Sequence, residues 1–129
     1  MLDCVCTSIS IYYAEGLQDY LNRVMPLYPQ DGYLKVTRGY IFKNEGMALS
    51  RLGRKDEAEE ALNQGEVVFR TMLDEIPDDA SAWNGLGSIA AVRRDYEQAL
   101  EYIERALQIM PDYPDALQDK KQILEILKK

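Results

Sequence analysis

Residues 80–111 read ASAWNGLGSIAAVRRDYEQALEYIERALQIMP, and this stretch decides the fold. Ala82, Trp83, Leu86, Ile89 and Ala90 recur at the spacing of one helix face. Asp79 just before them is a good N-cap, so a helix is expected over about Ala80 to Arg93. Arg94 and Asp95 make a turn. Asp95 followed three residues later by Gln98 resembles a capping box and opens a second helix. That helix carries Tyr96, Ala99, Leu100, Ile103, Ala106 and Leu107 on one side. Pro111 stops it, because proline supplies no amide donor. Gly87 and Ala99 are small enough for two backbones to approach closely, while Trp83 and Ile103 fill the space where the helices diverge. The product is an antiparallel helix pair. Gly85-x-Gly87 therefore reads as packing and not as a phosphate loop, since it lies inside a helix without the preceding strand and trailing Gly-Lys-Ser/Thr.

A second copy lies 41 residues earlier. Gly46 stands where Gly87 stands and Ala58 where Ala99 stands; Phe42 takes the Trp83 position, Leu49 that of Ala90, Leu62 that of Ile103, and Gly65 that of Ala106. Leu52-Gly53 closes its first helix and Lys55-Asp56 opens the second. The order W-x2-L-G, then Ala, Ile, Ala and finally Pro resembles the tetratricopeptide repeat, best over 80–111 and in diverged form over about 39–77. The resemblance implies an all-α fold: antiparallel helix pairs stacked as a right-handed superhelix, an α-α solenoid. The period departs from the family's, which is about 34 residues. The surplus falls after Gly65, where Val67, Val68, Met72 and Leu73 keep a helical pattern through Ile76, so one long second helix is expected and not a loop.

Outward from these pairs, a single repeat domain over 1–129 is expected, in four parts: an N-terminal helix or half-repeat (1–30), an elongated repeat (31–77), a regular repeat (78–111) and a capping helix (112–129). Within the first part, Gly16, Leu17, Tyr20, Leu21 and Val24 suggest a helix from about Ser8 to Met25. With Gly16 matched to Ala58 it is the second half of a repeat; a non-repeat capping helix is the equal alternative. Asp31 to Leu52 reads as one helix, weakened by Gly32 and Gly39. Pro114 and Asp115 suit a helix start, and Lys120 and Lys121 in the Leu86 and Gly87 positions mark the helix to Lys129 as a solubilising cap.

Composition removes several functions. The net charge is −7 and the chain has no histidine. Phosphate-backbone binding needs clustered Lys and Arg, so nucleic acid is not an expected partner; the acidity, spread along the chain, reads first as a solvated helix surface and only secondarily as favouring a basic partner. Without histidine, Ser-His-Asp and Cys-His catalysis is excluded within the chain, and no enzyme activity or cofactor is expected. Cys4 and Cys6, the two cysteines, make neither a zinc site nor a good disulfide loop and read as reduced thiols. Asp56, Glu57, Glu59 and Glu60, and again Glu97, Glu101 and Glu104, read as solvated faces and not as metal ligands. No apolar run is long enough to span a bilayer, and Met1 to Tyr13 lacks the marks of a signal peptide, so a cytoplasmic protein is expected. Tyr12, Tyr13, Tyr20, Tyr28, Tyr33 and Tyr40 crowd the first 40 residues. Packing between helices is the favoured use for them and contact with a partner the other. Trp83 is expected in the core.

The resemblance also implies a binding wall on the first helix of each pair. Its slots fall on Tyr40, Lys43, Met47, Ser50 and Arg51, then on Ser81, Asn84, Ser88, Ala91 and Val92, then on Asp115, Gln118 and Gln122. The wall grades from basic through small to acidic and polar, and Asn84 is expected to hydrogen-bond an extended ligand. The family's two-carboxylate clamp for an acidic C-terminal tail does not carry over: Lys43 matches, but Met47, Gly85, Asp115 and Asp119 replace the amide and basic residues it needs. The expected function is a non-catalytic adaptor or scaffold that binds a peptide or helix of another protein. The alternatives are self-assembly into a homo-oligomer through the apolar N-terminal helix, and a regulatory subunit or piece of a longer repeat array.

Overall fold

The computed structural model describes the backbone of residues 2–128 and the side chains of residues 11–128. Among the described residues six α-helices follow one another: α1 (Leu2–Val24), α2 (Gly32–Arg51), α3 (Lys55–Glu75), α4 (Ala80–Val92), α5 (Tyr96–Ile109) and α6 (Pro114–Lys128). A short 3-10 turn, Met25–Leu27, follows α1, and no strand occurs among the described residues. The expected helices are all present. α1 begins at Leu2, well before the expected Ser8, so residues 2–7 continue the helix. The thiols of Cys4 and Cys6, and Lys129, lie outside the described residues.

Local chemistry sets the ends of these helices. The Asp31 carboxylate accepts from Leu34 N at 3.1 Å, Asp79 from Ser81 N at 3.1 Å and Ala82 N at 3.3 Å, and Asp95 from Gln98 N at 3.3 Å. The reciprocal half of a capping box is not made at Asp95, because the Gln98 amide donates to Glu101 instead. The two α-to-α turns are copies of each other. After α2, Gly53 N donates to Ser50 O and Arg54 N to Leu49 O; after α4, Arg94 N donates to Ala91 O and Asp95 N to Ala90 O. Both turns need a left-handed residue, and it is Gly53 (φ 78°) in one and Arg94 (φ 65°) in the other.

The chain divides into two compact units, Met1–Val68 and Phe69–Lys129, with the division inside α3. In the first unit α1 packs on α2. Ala14, Leu21 and Ile41 form one apolar cluster with Met25 and Leu34; Ile11, Ala48, Leu49, Ala58 and Ala61 form another with Leu52. Gly46 gives α2 its close approach to α3: a Cβ there would sit 2.6 Å from Leu62 Cδ2 and 3.2 Å from the Ala58 carbonyl oxygen. The register of α1 differs from the expected one. Among its described side chains Ile11, Ala14, Gln18 and Leu21 are buried, whereas Gly16, Leu17 and Tyr20 are exposed. Ala14, Gln18 and Leu21 share the spacing of Ala58, Leu62 and Gly65, so the small slot belongs to Ala14, two residues before Gly16.

In the second unit α5 packs on both α4 and α6, and α4 touches α6. Its core holds Ala80, Ala90, Ala99, Ile103, Ala106, Ala116 and Ile123. Phe69, Ala82, Leu86 and Ile89 are also buried. Full burial of a side chain the size of Phe69 or Ile103 contributes about 1.5–3 kcal/mol. A Cβ on Gly87 would lie 2.7 Å from Ile103 Cγ1 and 3.2 Å from the Ala99 carbonyl oxygen, which repeats the Gly46 contact in the second pair. Gly85 faces the end of the Phe69 ring, where a Cβ would lie 2.4 Å away. Along α6, Ala116 and Ile123 are buried, and Lys120 reaches Glu104 of α5 at 3.7 Å. Its outer side is less polar than a solubilising cap implies, since Leu117, Leu124, Ile126 and Leu127 are all 40–48% exposed.

Candidate protein-interaction surface

On α2 the expected wall residues meet in two pairs. The Lys43 ammonium stands 5.9 Å from the Tyr40 ring centroid, and Arg51 Nη2 approaches the Met47 sulfur at 3.9 Å. Tyr40, Lys43 and Met47 are half-buried, Ser50 and Arg51 exposed. The same helix presents Arg38 over the Phe42 ring at 5.8 Å. Burial holds the half-buried Glu45 carboxyl above its ordinary range, and the negative charge of Glu15 on α1 adds to the rise.

On α4, Ser81, Ser88, Ala91 and Val92 are half-buried and small. Asn84 departs from expectation: it is 1% exposed, so its amide belongs to the interior and is not offered to a ligand. Its position is set by the turn of α4 that also buries Ala80 and Gly87. On α6, Asp115, Gln118 and Gln122 are exposed. The Ser88 hydroxyl donates to the Asp119 carboxylate at 3.4 Å, which links α4 to α6 side by side. Acidity concentrates there. Tyr113 is pushed above the ordinary tyrosine range, first by burial and then by the charges of Asp115, Asp79 and Asp119.

One constellation went unread in the sequence. Trp83 is half-buried, not enclosed, and its indole N–H donates to the Pro77 carbonyl oxygen at 3.0 Å. Tyr102 lies against it with ring centroids 6.0 Å apart, and the Arg105 guanidinium stacks over it at 5.2 Å. Arg70 of α3 donates to the Tyr102 hydroxyl at 3.0 Å. Tyr102 and Arg105 share an α5 face at i, i+3, which was visible; their meeting with Trp83 and Arg70 was not. Phe42 with Arg38 repeats the aromatic-plus-arginine theme in the first unit. Among the described residues no three His, Cys, Asp or Glu side chains cluster as a metal site, and no helix is long and apolar enough to cross a membrane.

The tyrosines near the N-terminus are mostly on the outside. Tyr12, Tyr13, Tyr20, Tyr28 and Tyr33 are exposed and Tyr40 is half-buried, which reverses the favoured packing role. Their helices bury Ile11, Ala14, Leu21 and Ile41 instead, and these already fill the contact between α1 and α2.

Two comparisons bear on this geometry. The chain is 32% identical over 94 residues to the human (Homo sapiens) protein O-mannosyl-transferase TMTC1. The matched region is 73% of this chain but spans about a tenth of the length of that curated relative. The model of the tetratricopeptide repeat family matches residues 43–114, from the middle of α2 to the start of α6 and more than half of the chain. Repeats of this kind mediate protein–protein interaction. With paired helices closed on Gly46 and Gly87 and a family match across both pairs, the chain belongs to the tetratricopeptide repeat family.

Proposed function

We propose that the chain is a non-catalytic adaptor whose α4 and α6 surface takes up a basic peptide or helix of a partner protein. The observation that carries this reading is the Ser88–Asp119 link. Ser88 lies beside the Asp119 carboxylate; Ser81 and Ala91 are further small, half-buried residues of α4, and Asp115 is a further exposed acid of α6. Small residues leave room for a backbone to lie close, and the acids supply attraction for Lys or Arg.

Titration of Lys/Arg-rich and Glu-rich helical peptides, followed by the fluorescence of half-buried Trp83 or by calorimetry, tests this. Wild-type protein is expected to prefer the basic peptide. An Asp115→Lys/Asp119→Asn variant is expected to lose at least about tenfold in affinity, or about 1.4 kcal/mol. Equal binding of both peptides, or of the basic peptide by both proteins, overturns the reading.

A further inference from the structure

The outer face of α1 is built differently from those of the other second-type helices. With Ala14, Gln18 and Leu21 set against Ala58, Leu62 and Gly65 and against Ala99, Ile103 and Ala106, outward positions can be compared directly. α5 presents Glu97, Gln98, Glu101 and Arg105 there, and α3 presents Asp56, Glu57, Glu60 and Gln64. α1 presents Tyr12, Tyr13, Gly16 and Tyr20, with the exposed Asp19 and Arg23 beside them. The three tyrosines are 74%, 65% and 53% exposed, and a Cβ on Gly16 would meet nothing within 4 Å. Charged residues are what a solvated helix face requires; three tyrosines around a glycine are what an interface core contains.

We infer that this face is the contact between two copies of the chain, crossing as antiparallel α1 helices at Gly16. The occupant follows from the face's own symmetry. In an antiparallel crossing about Gly16, residues equally far before and after it face one another. Tyr12 then meets Tyr20 of the other copy, ring against ring. Tyr13 meets Asp19 of the other copy, a phenol donor against a carboxylate acceptor, and Asp19 is exposed on this same face. Both pairings occur twice, as an isologous two-fold interface demands. Gly16 at the axis, without a side chain, lets the two backbones approach as Gly46 and Gly87 do within each copy. A parallel pairing sets Asp19 against Asp19 and loses both matches. The inference is independent of the peptide-binding surface, which lies on other helices.

Sedimentation over about 1–100 µM, the range where single-helix contacts hold or fail, tests it with three proteins. Wild type is expected to be a dimer within that range. Gly16→Leu removes a helix-weakening glycine that is open within one copy, so helicity and melting temperature of the dilute, monomeric protein stay at or above wild type. It is nonetheless expected to raise the dimer dissociation constant at least tenfold by blocking the crossing. In a Cys4→Ser/Cys6→Ser background, Gly16→Cys is expected to form a disulfide-linked dimer on mild oxidation, and Leu27→Cys, off this face but equally exposed, is not. A monomeric wild type, a dimer indifferent to Gly16→Leu, or equal cross-linking of the two cysteine variants overturns the inference.

Discussion

Single residues carry unequal loads in the two repeats, and the paired turns expose this most directly. Gly53 and Arg94 occupy the same left-handed position after α2 and α4, with matching hydrogen bonds on either side. Glycine adopts that conformation freely, while an L side chain is crowded there by about 1–2 kcal/mol. Arg94→Gly is therefore expected to stabilise the protein. Part of the relief is offset by the freedom glycine gains in the unfolded chain, leaving about 0.5–1 kcal/mol. Urea denaturation checks it: an unchanged or lower midpoint contradicts the assignment of strain to Arg94. The Trp83 slot shows the same inequality. It is the family's aromatic position, yet its ring edge stays at the surface and is covered by Arg105 and Tyr102.

At the scale of helices, the repeated device is a glycine on the first member of each pair set against a branched side chain and a backbone carbonyl on the second. Gly46 meets Leu62 and the Ala58 carbonyl; Gly87 meets Ile103 and the Ala99 carbonyl. A methyl group in that gap forces α4 and α5 apart or pushes Ile103 off its rotamer. Gly87→Ala raises local helix propensity by about 1 kcal/mol, but overpacking costs about 1–3 kcal/mol. The neighbouring carbonyl cannot move away cheaply, so a net loss of stability is expected. Thermal melting of Gly87→Ala beside Gly16→Ala in dilute, monomeric protein checks it, because within one copy the second glycine faces open space and is expected to melt higher. Equal shifts in the two variants would remove close approach as the reason for Gly87.

For the whole molecule, charge separates the two proposed surfaces. Each copy carries −7, so two copies repel, whereas a basic peptide is attracted. Raising ionic strength from about 0.05 to about 0.5 M shortens the screening length from over 10 Å to under 5 Å. Dimerisation through the tyrosine face is expected to tighten with added salt, and capture of a basic peptide at α4 and α6 to weaken. Sedimentation and peptide titration at the two salt concentrations check both; salt trends of the same sign would mean that one of the two contacts is not what is proposed.

The sequence by itself determined that the chain is helical, where five of the six helices begin and end within a residue or two, and which small residues close the two central pairs. These features are local: caps at Asp31, Asp79 and Asp95, breaks at Gly53 and Pro111, and a 3.6-residue stripe each act within a few residues of themselves. The tertiary structure alone decided which side of α1 turns inward. Apolar or small residues cover most of its circumference, with Glu15, Asp19, Asn22 and Arg23 on the remainder, so Ala14 and Gly16 both fit the pattern, and contact with α2 selects Ala14. It also decided that Asn84 is enclosed, that Trp83 meets Tyr102 and Arg105 while Arg70 reaches the Tyr102 hydroxyl, and that Ser88 meets Asp119. Each of these depends on residues from separate helices meeting in space, and periodicity along one helix holds no information about its neighbour.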